Sequence, residues 1–152
     1  MSARVRLTMQ ARGEDKGRVA AACAEMQFPV ELADFFADLP ARIARAHLVV
    51  GRSGASTVSE LAVIGRPSIL VPFPHALDQD QAANAAILAA SGGATVIRQS
   101  EFSPERLAEA LRGALADPAA LQAAAKAAKA AGVADAAERL AELVMGIAAL
   151  EP

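Results

Sequence analysis

The chain has 152 residues, a length that predicts one domain at about 150 residues per domain. Apolar residues make up 54% and charged residues 21%, a globular balance, and no apolar run reaches the ~18 residues of a membrane-spanning helix. The net charge of −2 and the lack of Trp and Tyr argue against a nucleic-acid binder, and the single Cys23 excludes an internal disulfide framework and fits a reducing compartment.

In chain order, residues 4–10 (RVRLTMQ) alternate with Val5, Leu7 and Met9 on one side and predict a half-buried strand. Residues 13–16 (GEDK) look like a turn, and a helix over 17–26 would carry Val19, Ala22 and Cys23 inward. A second strand is predicted over 29–32. Asp38 before Leu39-Pro40 is a helix start signal, and that helix runs to about Ala46. His47 to Gly51 (HLVVG) reads as a compact strand with β-branched residues at its centre.

The next segment, 51–56 (GRSGAS), is a tight turn, and Thr57 to Ile64 is a short helix stopped by Gly65 and Pro67. Residues 68–71 (SILV) form a buried strand ended by Pro72 and Pro74. A helix from about Asp78 to Ala90 closes at Ser91-Gly92-Gly93, and 94–97 form a last short strand. Ser103-Pro104 opens a helix with Leu107, Ala110, Leu111, Ala114 and Leu115 on one face. Asp117-Pro118 opens an Ala- and Lys-rich helix broken at Gly132. A final amphipathic helix over 134–149 carries Leu140, Leu143, Val144 and Ile147.

Short, continuously apolar strands alternating with helices predict an α/β fold, a Rossmann-like parallel sheet covered on both faces, with a helical C-terminal tail. The core is expected over 4–116 and the tail over 117–152.

In an open parallel sheet, ligands bind beyond the carboxyl ends of the strands. Two loops stand out there. The first, GRSGAS, joins a strand to a helix through small residues. It leaves the backbone N–H groups of Gly54, Ala55, Ser56 and Thr57 open at a helix N-terminus, where partial positive charge accumulates and phosphates bind. A strand–helix turn also needs small residues for its own sake. The loop is neither a P-loop nor a G-x-G-x-x-G fingerprint.

Glu60 has two readings. Three residues after Thr57, it fits a capping box; one turn into the helix, it also fits a carboxylate gripping two adjacent ribose hydroxyls. The second loop and the helix after it carry His75, Asp78, Gln79, Asp80, Gln81 and Asn84. Gln81 and Asn84 share a helical face, and amides that donate and accept suit sugar hydroxyls; a solvated helix start explains the same residues. One His with Asp78 and Asp80 is a poor set for a metal, so none is expected. Cys23 reads as a core residue, and no Ser–His–Asp or Cys–His arrangement is visible.

The run from Asp34 to Ala85 carries RSGASTVSE, then GRPSILVPFPH and a Gln-x-x-Asn. It resembles the C-terminal, nucleotide-sugar-binding domain of the peptidoglycan glycosyltransferases that add N-acetylglucosamine to lipid I. The likeness extends more loosely from about Leu7 to Leu143. It implies part of a glycosyltransferase B-type fold, with UDP-N-acetylglucosamine as donor substrate and no cofactor or metal.

On the matching positions, Phe36 stands where a backbone reads the uracil edge. Ala55, Ser56 and Thr57 stand at the helix start near the diphosphate. Glu60 stands on the ribose hydroxyls, and Gln81 and Asn84 on the sugar. Asp80 stands where some members carry a second glutamine.

The family's acceptor-binding N-terminal domain and Gly-rich loop have no counterpart in this chain. The resemblance therefore implies a C-terminal fragment, inactive by itself, whose lipid-linked muramyl acceptor is bound by the other domain. The N-terminus MSARVRL has no apolar h-region, so a cytoplasmic location is expected, with the whole protein peripheral on the inner membrane face. The alternative is a non-catalytic uridine-nucleotide-binding or partner-docking module, or a related nucleotide-sugar enzyme. A sheet edge exposed by truncation would invite self-association.

Overall fold

A computed structural model describes residues 5–75 and 80–148 of the chain. The expected strand start at Arg4, the helix start at Asp78 with Gln79, and the helix end at Ala149 lie outside them. The chain divides into two compact units, residues 1–39 and 40–152.

The first unit is a β–α–β element. β1 (Leu7–Gln10) pairs in parallel with β2 (Val30–Ala33), with Leu7 opposite Val30 and Gln10 opposite Ala33. Its odd-numbered residues are the less exposed ones, as the alternation predicts. The crossover helix α1 spans Gly13–Ala24. It starts four residues before the predicted point, because GEDK is its first turn. Glu14 and Asp15 lie where the helix dipole favours acids, and the N–H groups of Asp15 and Lys16 both donate to Arg12 O at 2.9 Å. Cys23 is half-buried, and no residue of α1 is enclosed, so the expected core role is not filled.

The second unit begins with α2 (Leu39–Arg45), apart from its first residue, and builds a three-stranded parallel sheet. β3 (Val49–Gly51), β4 (Ser68–Leu70) and β5 (Ala94–Val96) lie in that order, with Val50 opposite Ile69 and Ile69 opposite Thr95. All three residues of the central strand are buried, so both faces of β4 are covered. The parallel α/β architecture is as predicted, with the strands in two ladders rather than one.

Helices α3 (Ala55–Ile64) and α4 (Asp80–Ala90) follow β3 and β4. A 3-10 turn at Gln99–Glu101 leads to α5 (Pro104–Ala116), α6 (Pro118–Ala131) and α7 (Ala136–Ala148). The start signals at the first two of these work as the sequence indicates. Ser103 Oγ accepts from Arg106 N at 3.2 Å, and Asp117 Oδ1 accepts from Ala120 N at 2.9 Å.

The core joins Ile43, Leu61, Ala62, Leu70, Ala85, Leu88 and Ala128. It therefore extends past residue 116: α6 packs along α3, and Ala128 is fully enclosed. Methyl groups let the two helices approach closely. α3 ends at Gly65, whose φ of +79° is the left-handed cap that glycine adopts without cost. Lys129 of α6 donates to Val63 O beside it. α7 buries none of its residues; Leu140, Leu143, Val144, Met145 and Ile147 are exposed. Among the described residues, no helix is long and apolar enough to cross a membrane.

Candidate functional site

The segments leaving the carboxyl ends of β3 and β4 belong to the second unit and carry most of the expected residues. Residues 52–54 join β3 to α3. Gly54 is the N-cap of α3, with φ −60° and ψ 152°, and no side chain caps the helix. The first intrahelical bond runs from Val58 N to Gly54 O at 3.0 Å. The N–H groups of Ala55, Ser56 and Thr57 precede it and have no carbonyl a turn behind them. Ala55 and Ser56 are exposed, so this positive helix end faces solvent.

The helix starts two residues earlier than predicted, and this decides between the two readings of Glu60. With Gly54 as cap, Thr57 is the third helical residue and cannot be the capping hydroxyl, so a Thr57–Glu60 capping box does not form. Glu60 is half-buried on α3 and, among the described residues, makes no hydrogen bond or ion pair.

Gln81 and Asn84, on one face of α4, hold the two loops together. Ser53 is fully buried; its hydroxyl donates to Gln81 O at 2.7 Å, and its carbonyl accepts from Asn84 Nδ2 at 3.3 Å. Gln81 Oε1 accepts from Phe73 N at 3.0 Å, while Asp80 Oδ1 accepts from Gln81 N at 2.7 Å. Sequence reasoning missed Arg52 and Phe73. Arg52 Nη1 donates to Val71 O at 3.1 Å, and its guanidinium lies 5.4 Å from the centre of the Phe73 ring. His75 is exposed and meets Phe73 edge-on, with ring centres 5.6 Å apart. The one signal for Arg52 is a long cation in an otherwise small-residue loop.

A hollow of about 260 Å³ opens between α3, α4 and the segment joining α6 to α7, lined among others by Ala55, Val58, Asn84, Ile87, Gly132 and Val133. A larger one of about 410 Å³ includes His47, Arg66, Pro67 and Leu121. It borders the residues that lead into β3 and β4, at the other end of these strands, and holds none of the expected site residues. Among the described residues, no three metal-ligating side chains come together.

Phe36 lies in the first unit, three residues after β2, and is buried. Nearby, Lys16 Nζ reaches Asp34 Oδ1 at 3.3 Å. Backbone N–H donation to Asp34 and this ammonium hold its carboxyl below the usual carboxylate range.

Comparisons with known proteins place the chain in a family. The model of the glycosyltransferase family 28 C-terminal domain matches residues 2–140. A Brucella anthropi protein named "UDP-N-acetylglucosamine--N-acetylmuramyl-(pentapeptide) pyrophosphoryl-undecaprenol N-acetylglucosamine transferase" is 60% identical over 147 residues, 97% of this chain and 39% of that protein. A Brucella canis protein of the same name is 58% identical over 96% of this chain and 38% of its own. The chain thus spans about two fifths of the length of the curated relatives it matches, 39% and 38%. Among solved structures, Acinetobacter baumannii MurG superposes with a TM-score of 0.85 at 28% identity, covering 93% of this chain and 43% of that one. The glycosyltransferase VinC, in complex with dTDP, gives 0.68 at 26% identity over 95% of this chain and 34% of that one.

Proposed function

The chain belongs to the glycosyltransferase family 28 C-terminal domain family, and on that footing we propose that it is the donor-binding part of an inverting N-acetylglucosaminyltransferase that converts lipid I to lipid II. The donor is UDP-N-acetylglucosamine, and the acceptor is a lipid-linked muramyl sugar engaged by another domain.

The observation that carries this reading is the open amino end of α3, with Glu60 partnerless in the next turn. The N–H groups of Ala55, Ser56 and Thr57 meet the diphosphate. Glu60 accepts from the two ribose hydroxyls, and Gln81 and Asn84 meet the sugar. When an acceptor hydroxyl attacks the anomeric carbon, the sugar–phosphate bond breaks and UDP leaves with growing negative charge. Fixed N–H dipoles aimed at that charge stabilise the transition state without having to reorganise. The bound diphosphate keeps these dipoles as its counter-charge, so this reading calls for no metal.

The test is calorimetric titration of the chain with UDP-N-acetylglucosamine, UDP, GDP and a GDP-sugar. Binding of both uridine ligands with little guanosine binding is expected. Equal affinity for all four, or binding of none, overturns the reading.

A further inference from the structure

We propose that Ser53 is a positioning residue that fixes which end of the Asn84 amide faces a ligand and holds in place the start of α4, from which Gln81 reaches the same ligand. The inference deepens the donor-binding reading and rests on it. Ser53 itself is fully enclosed. It grips α4 twice, through its hydroxyl to Gln81 O and through its carbonyl to Asn84 Nδ2.

The chemistry follows from what each amide has left. A carboxamide has one accepting oxygen and one donating nitrogen, and a partner that can only donate or only accept decides which end it takes. The Phe73 N–H can only donate, so it takes Gln81 Oε1 and leaves Nε2 as the end for a ligand. The Ser53 carbonyl can only accept, so it takes Asn84 Nδ2 and leaves Oδ1. Gln81 therefore offers donors and Asn84 an acceptor. A pair of neighbouring sugar hydroxyls, one accepting and one donating, matches that polarity.

Arg52 completes the device. It is the residue before Ser53, and it binds Val71 O just ahead of the segment that supplies the Phe73 N–H. The loop after β3 thus holds both the loop after β4 and the start of α4. The loop that receives the diphosphate and the amides that receive the sugar are set by one dipeptide.

The experiment compares calorimetric affinities for UDP-N-acetylglucosamine and UDP in the wild-type chain, Ser53→Ala and Gln81→Glu. The ratio of the two affinities isolates the sugar. Ser53→Ala should cut that ratio roughly fivefold, the worth of about one hydrogen bond, with UDP affinity held within about twofold. Gln81→Glu keeps an oxygen for the Phe73 N–H but loses the donor, and it should cut the ratio as far. A control for unfolding is hydrogen exchange of the Asn84 side-chain amide in the ligand-free chain. It should be slow in wild type and faster in Ser53→Ala, which keeps the carbonyl that holds Asn84 but loosens α4 by losing the hydroxyl bond to Gln81 O, while the backbone of β4 stays protected in both. An unchanged ratio in Ser53→Ala, equal loss of both ligands, or an Asn84 amide that exchanges like a free one in wild type overturns this inference alone. Wild type binding neither ligand overturns the donor reading itself.

Discussion

Gly132 lies so close to Ala62 that a Cβ added to it would stand 2.7 Å from the Ala62 carbonyl carbon and oxygen. Those atoms are backbone in the last turn of α3 and cannot swing aside. Gly132→Ala should therefore force α6 away from α3 and cost about 1–3 kcal/mol, as overpacking does. Urea denaturation checks this. A variant as stable as wild type would mean the helix pair is looser than described.

Glu60→Ala should weaken UDP binding without touching the fold. A charged acceptor lost to ribose hydroxyls costs about 1.5–3 kcal/mol, or roughly ten- to a hundredfold in affinity. The melting temperature should not move, because Glu60 is not part of a cap and has no partner among the described residues. A large drop in melting temperature with unchanged UDP affinity would make Glu60 structural.

Asp117→Ala removes the cap on Ala120 N and should destabilise the second unit by about 1 kcal/mol, since α6 belongs to its core. Asp117→Asn keeps an accepting oxygen and should recover most of the loss. If both variants melt together, the cap has no energetic role.

Asp34 titrates below the usual carboxylate range in the folded chain, through backbone N–H donation first and Lys16 second. A carboxyl whose pKa falls on folding stabilises the fold above its unfolded pKa. That contribution disappears as pH drops through the folded value. Lys16→Ala should raise the Asp34 midpoint, read by NMR of its carboxyl carbon. An identical midpoint in both proteins would show that the ion pair plays no part.

The strand–helix order and the Ser103 and Asp117 caps are written in local composition, and each appears as expected. Three features are not local. The start of α1 hides in GEDK because its acids look like a turn, yet they also complement a helix dipole. The start of α3 shifts because Gly54 takes an extended cap conformation that nothing in GRSGAS marks over its neighbours. The amides of Gln81 and Asn84 bond to Phe73 and Ser53, partners 8 and 31 residues away, which spacing along the chain does not show. Ala128 was hidden for another reason: in an alanine-rich helix, the one enclosed methyl looks like all the others.

Nine of the fourteen residues of α6 are alanine, as its sequence PAALQAAAKAAKAA shows. Methyl groups have no torsions to freeze, so zipping this helix onto α3 gives up almost no side-chain entropy. The same smoothness leaves few teeth to stop the helices sliding along each other. The axial position is set by notches: Gly132 under Ala62, Gly93 under Ala128, and the Lys129 ammonium on the Val63 carbonyl. Filling one notch would lift the rod off its partner as a unit rather than dent it locally.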